Sequence, residues 1–171
     1  MDSSLMQNVS DGDPLPQTGW PRLRGKLFHF YFLMARPMTL GVRGVVHDAA
    51  ENSVLLIRHT YVPGWQFPGG GVEIGETALE ALEREMREEG NIAVTAPPVL
   101  KSLHFNRRAS RRDHVAVYLV ETFRQTAPKL PDREIAEAAF FSLDRLPGAT
   151  TPATLRRIAE IFGGAPSSPD W

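Results

Sequence analysis

Glu85, Glu88 and Glu89 stand at positions i, i+3 and i+4, so on a helix their carboxylates share one face within a few ångströms. They belong to a run in which seven of the twelve glutamates fall between 73 and 89. Like charges so close repel, and at the C-terminal end of a helix the macrodipole disfavours them further. A solvated acidic face is one resolution. A hard divalent cation is the other, because Mg²⁺ is bound through a few carboxylates together with substrate phosphates. Just upstream, Pro68-Gly69-Gly70-Gly71 is a loop whose backbone can approach a metal or phosphate closely, since glycine has no Cβ.

The two features occur at a defined spacing. Gly70, five residues, Glu76, seven residues, and then Arg84-Glu85-Met86-Arg87-Glu88-Glu89-Gly90-Asn91-Ile92 resembles the 23-residue signature of the Nudix hydrolases. Eight of its nine defined positions match. The exception is Asn91, which stands where the family has glycine; Asn is the next best residue for a left-handed helix end, or Gly90 takes that role one residue earlier. The resemblance extends over about 36 to 162. It implies an α+β domain, an α/β/α sandwich with a mixed β-sheet. It also implies metal-dependent hydrolysis of a diphosphate linkage in a nucleoside diphosphate derivative, with Mg²⁺ (or Mn²⁺) as cofactor.

Carried residue by residue, the resemblance makes Glu85, Glu88 and Glu89 metal ligands, with the Gly70 carbonyl as an additional one. Arg84 orients the glutamates and Glu76 holds Arg84. Glu88 or Glu89 competes with Glu134 and Glu137 for the role of general base. The family markers of specific substrates are absent from the window 107–110, so no particular substrate is implied.

Other residues are candidates on chemistry alone. Residues 101–112 contain Lys101, Arg107, Arg108, Arg111 and Arg112 and no acid, a set suited to phosphate oxygens as well as to a solvated hairpin tip. Arg58 and Arg112 are the substrate candidates among the arginines. Trp65 and Phe67 can stack on a base or pack in a core. Two other function classes remain open: a Nudix-fold nucleotide sensor without turnover, and an RNA-processing or RNA-binding protein using the basic hairpin 107–112.

The elements that must position these groups follow from pattern. Residues 38–47 and 53–59 form a β-hairpin across a turn-rich 48–52, and 99–105, 113–123 and 138–142 are further strands. Residues 77–89 form a helix, with Thr77 and Glu80 as a capping box and Ala78, Leu82 and Met86 as its apolar stripe. A last helix begins at Thr151-Pro152 and ends at Gly163. Residues 1–24 and 163–171 have the composition of flexible tails, leaving 25–162 as the domain. The N-terminal apolar segment (25–37) is expected to pack on that domain or at a homodimer contact, with membrane-surface association as the lesser alternative.

Composition excludes several classes. With no cysteine among 171 residues, disulfide scaffolds and thiolate chemistry are ruled out, and a cytoplasmic location is expected. The longest apolar stretch, nine residues from Leu27, falls short of the ~20 needed to span a bilayer. The formal net charge of −1 conceals two opposite patches, acidic at 73–92 and basic at 101–112.

Overall fold

The computed structural model describes Tyr31 and residues 37–171. The expected N-terminal tail lies outside the described residues, as do segment 25–37, apart from Tyr31 and Pro37, and the homodimer contact read from it.

Strands β1 (Thr39–Asp48), β2 (Ser53–His59), β4 (Val99–Phe105), β5 (Asp113–Val120) and β7 (Ile135–Ser142) form one sheet in the order β4-β5-β1-β2-β7. β1 and β5 run parallel and the other pairs are antiparallel, so the sheet is mixed. β3 (Ile92–Val94) and β6 (Phe123–Gln125) pair separately. The expected strand 113–123 is therefore two strands belonging to different sheets. Three-residue strands are too short to carry an alternation signal.

Helix α1 (Ala78–Gly90) covers one face through Ala81, Leu82 and Met86, packed on Val42, Val46, Leu55, Ala116 and Tyr118. Helix α2 (Pro152–Phe162) covers the other through Ile158, against Val45, Val54, Leu56, Val117 and Leu119. This is the expected α/β/α sandwich.

β1 and β2 pair only near their turn, at His47–Val54 and Asp48–Ser53. Beyond it they diverge, and segment 66–72 fills the gap. Ile57 and Gln66 exchange two backbone hydrogen bonds, and the amides of Gly44 and Val42 donate to the carbonyls of Pro68 (2.9 Å) and Gly70 (2.8 Å). The glycine loop is thereby wedged into the sheet beside α1.

Helix α1 is fixed at both ends. Thr77 Oγ1 accepts from the Glu80 amide at 3.2 Å, and Glu80 Oε2 accepts from the Thr77 amide at 2.8 Å, the reciprocal pair of a capping box. Asn91 is the C-cap with φ 53°, and its Nδ2 donates to Ala127 O at 2.7 Å. It occupies the left-handed position that a glycine would otherwise take. Asn91→Ala is expected to destabilise the protein by about 1–2 kcal/mol in urea unfolding, because alanine has no polar side chain to offset a left-handed backbone. Asn91→Gly is expected to lose less.

Residues 163–171, expected as a flexible tail, have backbone partners on the domain. They return along the open edge of β4, where the Phe105 amide donates to Pro169 O (2.8 Å) and the Trp171 amide to Phe105 O (3.0 Å). Backbone pairing of this kind depends on an available strand edge and not on side-chain composition. Fully buried His104 lies at this seam, with Nδ1 2.7 Å from Ser168 O and Nε2 2.6 Å from Ser102 Oγ. Since a carbonyl only accepts, Nδ1 carries the proton and Nε2 accepts from Ser102. Burial, and then the Arg157 guanidinium, hold the His104 pKa below its ordinary value. The folded state thus binds fewer protons than the unfolded chain below about pH 6.5, and stability present above that pH is lost as pH falls through the folded pKa. Thermal unfolding is expected to show a steeper acid loss in wild type than in His104→Gln.

Candidate functional site

The glycine wedge and the C-terminal half of α1 meet at two backbone positions. At Gly69, φ is 141° and an added Cβ would lie 2.1 Å from Val42 O. At Gly70, an added Cβ would lie 2.2 Å from Glu85 Oε1, so backbone and carboxylate are in direct apposition.

Glu89 is buried, 7% exposed, and its Oε2 accepts from the Gly69 amide at 2.6 Å. His59 Nε2, at the end of β2, lies 3.5 Å from its Oε1. Burial pushes the Glu89 pKa up to about 7, against the opposing pull of the Gly69 N–H and the Arg43 guanidinium. Burial also lowers the His59 pKa.

Arg84 is the hub of the remaining acids. Its Nε donates to Glu76 Oε1 (2.9 Å), its Nη1 to Glu85 Oε1 (2.7 Å) and its Nη2 to Gly71 O (3.1 Å), while Glu88 Oε2 lies 3.6 Å from Nη1. These hydrogen bonds, first with Glu76 and then with Glu85, raise the Arg84 pKa, and the Arg84 bond lowers that of Glu76. Among the described residues, no three His, Asp or Glu side chains converge on one point as a metal would require. Glu85 and Glu88 face Arg84 and Glu89 faces Gly69. By chemistry the glutamates still fit a hard cation, because carboxylates are oxygen donors and the Gly70 backbone faces Glu85.

A cavity of about 600 Å³ opens beside these groups, lined by Arg43, Gly70, Gly71, Asn106 and Asp113 among others. Asp113 accepts from Thr39 Oγ1 (2.7 Å) and Asn106 Nδ2 (2.8 Å). The two charged residues in this lining, Arg43 and Asp113, carry no motif. Their signal in the sequence is a lone arginine inside the apolar run 38–47 and an aspartate at the start of a buried strand.

Glu134, exposed before β7, adds its charge to those acting on both His59 and Glu89, and so lies near the site. Glu137 is instead paired with Arg58 at 3.1 Å on the exposed strand surface.

Several candidates from the sequence lie elsewhere. Trp65 and Phe67 are buried in the cluster under α2, with the Trp65 ring edge-on to Phe141 at 4.7 Å. They are core residues and not a stacking platform, because the strand leading to the glycines turns their side chains toward α2. Arg58 lies over Trp65 at 5.8 Å rather than in the cavity. Arg112 is exposed and does not line the cavity. Arg107 stacks on Phe105 at 5.3 Å and joins Arg108, Arg156 and Trp171 around a separate hollow beside the C-terminal strand.

The model of the NUDIX domain matches residues 37–160. Over 46 residues the chain is 50% identical to an RNA pyrophosphohydrolase of Halorhodospira halophila, a match covering 27% of this chain and 25% of that protein. Over 127 residues it is 31% identical to YjhB of Bacillus subtilis, named provisionally as an ADP-ribose pyrophosphatase, covering 71% of this chain and 60% of that one. The chain thus spans about a quarter of the first relative and three-fifths of the second. Among solved structures, a MutT Nudix hydrolase from Burkholderia pseudomallei superposes with a TM-score of 0.62 at 26% identity, over 72% of this chain and 97% of that one. The family match over most of the chain, on a fold that joins a glycine wedge to a glutamate helix, makes this protein a member of the Nudix hydrolase family.

Proposed function

We propose that this chain hydrolyses the diphosphate linkage of a small nucleoside diphosphate derivative, using Mg²⁺ (or Mn²⁺) held by Glu85, Glu88, Glu89 and the Gly70 carbonyl. The observation that carries this reading is the apposition of Glu85 and buried Glu89 to the Gly69–Gly70 backbone, of which Gly70 also lines a cavity large enough for a nucleotide. When bound, the cation supplies neutralisation of the diphosphate charge and a more acidic water.

The chain's own residues do the rest. Arg84, anchored by Glu76 and Gly71 O, keeps the Glu85 carboxylate turned toward Gly70. Glu134 is the general base we assign, because no hydrogen bond or ion pair occupies its carboxylate among the described residues and it lies within electrostatic reach of Glu89. The cavity walls orient the substrate. We place the protein in the cytoplasm, in keeping with a chain that has no cysteine. Among the described residues no helix is long and apolar enough to cross a membrane.

The test is a screen of nucleoside triphosphates, nucleotide sugars, dinucleotides and 5′-triphosphorylated RNA with Mg²⁺ and Mn²⁺, with products identified by mass. At least one diphosphate is expected to be cleaved, with activity lost in EDTA and restored by the metal. Turnover of none of them sinks the reading.

A further inference from the structure

Arg43 lines the cavity from the centre of β1, and it is the one cation in that lining. Its Nη1 donates to Phe67 O at 3.1 Å and to Gly69 O at 2.5 Å, which fixes the guanidinium plane against the glycine wedge. Among the described residues, Nε and Nη2 have no hydrogen-bond partner, and no carboxylate lies within ion-pair distance. Glu89 and Glu85 act on Arg43 only through space. Asp113, the carboxylate in the same lining, already accepts from Thr39 and Asn106. The guanidinium is thus held on one edge by two carbonyls, while its other edge is open to the cavity and presents unpaired donors to an entering anion. A phosphoryl group suits that edge, because parallel N–H donors match two phosphate oxygens.

We propose that Arg43 is a substrate-binding residue, donating through its free edge to a phosphoryl group of the bound diphosphate while Nη1 holds the turn that carries Gly70. The proposal rests on the diphosphatase reading above. The charge gradient of the cavity orients the ligand: Arg43 draws phosphate to the end beside Gly70, and Asp113 repels it from the other. Lysine cannot replace Arg43, since a single ammonium cannot reach the two carbonyls and also present a flat pair of donors.

The test compares wild type with Arg43→Lys and Arg43→Gln, by calorimetry with AMP and adenosine in Mg²⁺ and by steady-state kinetics on the best substrate of the screen. In both variants the Kd for AMP and the KM are expected to rise at least about tenfold, as for loss of a hydrogen bond between charged groups, with adenosine affinity unchanged. An unchanged AMP affinity, or equal losses for AMP and adenosine, overturns the proposal and leaves Arg43 a support for the turn. If Arg43→Gln fails to fold, Arg43→Lys carries the comparison. A wild type that cleaves its substrate while the variants keep the wild-type KM refutes this inference alone. A wild type that cleaves no diphosphate and binds no AMP removes the diphosphatase reading and this inference with it.

Discussion

Glu89→Gln is expected to lose at least about 10³-fold in kcat while becoming more stable than wild type in metal-free buffer above pH 7. The loss follows from the proposed ligand role, because the amide is isosteric but carries no charge for a cation. The gain follows from burial. The folded-state pKa of Glu89 is raised from 4.5 to about 7, so the folded state binds more protons than the unfolded chain between those values. Wild-type stability is therefore full below about 4.5 and falls as pH rises through 7. Glutamine avoids that ionisation and still accepts from the Gly69 amide through its carbonyl oxygen. The stability difference is expected to be on the order of 1–3 kcal/mol at pH 8 and small at pH 4.5. Urea unfolding in EDTA at the two pH values measures it. Wild-type turnover by the variant, or a stability gain independent of pH, contradicts this account of Glu89. The expected pattern is that of a site in which charge is held at some expense to stability for the sake of a ligand.

Gly69→Ala is expected to be the most damaging single substitution for folding, by about 3 kcal/mol or more, corresponding to a fall in Tm of about 10 °C. Two effects add. A φ of 141° strains any residue with a Cβ, and that Cβ would be 2.1 Å from the Val42 carbonyl in the middle of β1, which cannot move without breaking the sheet. Gly70→Ala makes the contrast. Its Cβ would meet Glu85 Oε1 at 2.2 Å, and a carboxylate at the end of a side chain can rotate away. Gly70→Ala is therefore expected to leave most of the stability and remove most of the activity, because the displaced group is a proposed metal ligand. Thermal unfolding and the metal-dependent assay, run on both variants, separate the two roles. Equal loss of stability in both would show that the wedge tolerates no Cβ at either position and that Glu85 is not free to turn.

Most of the architecture is legible locally. Thr77 with Glu80 marks the start of α1, and the i, i+3, i+4 spacing puts three carboxylates on one face, because helix geometry is set by hydrogen bonds between near neighbours. The last helix likewise runs from its Thr151 cap to Gly163, and strand 99–105 falls where its pattern places it. The two short strands β3 and β6 are the exception, with three residues each.

The site divides differently. Helical spacing puts Glu85, Glu88 and Glu89 on one face, the family resemblance adds Gly70, Glu76 and Arg84, and of the two helix ends the sequence leaves open, Gly90 and Asn91, the left-handed backbone selects Asn91. Which face of the sheet a residue serves is a matter of how layers pack. Trp65 and Phe67 are equally suited by chemistry to a base or to a core, and only the position of α2 decides for the core. The composition of 163–171 gives no hint that its backbone pairs with β4, since the donors and acceptors involved are common to all residues. Arg43 is visible as a lone charge in an apolar strand, but its two carbonyl partners lie 24 and 26 residues away, and its unpaired edge is defined by a cavity that exists only once β1 and β2 have parted around the glycines. The sequence by itself determined the helix, its carboxylates and the family. The tertiary structure alone decided which side chains face the cavity, because that depends on contacts between segments far apart in the chain.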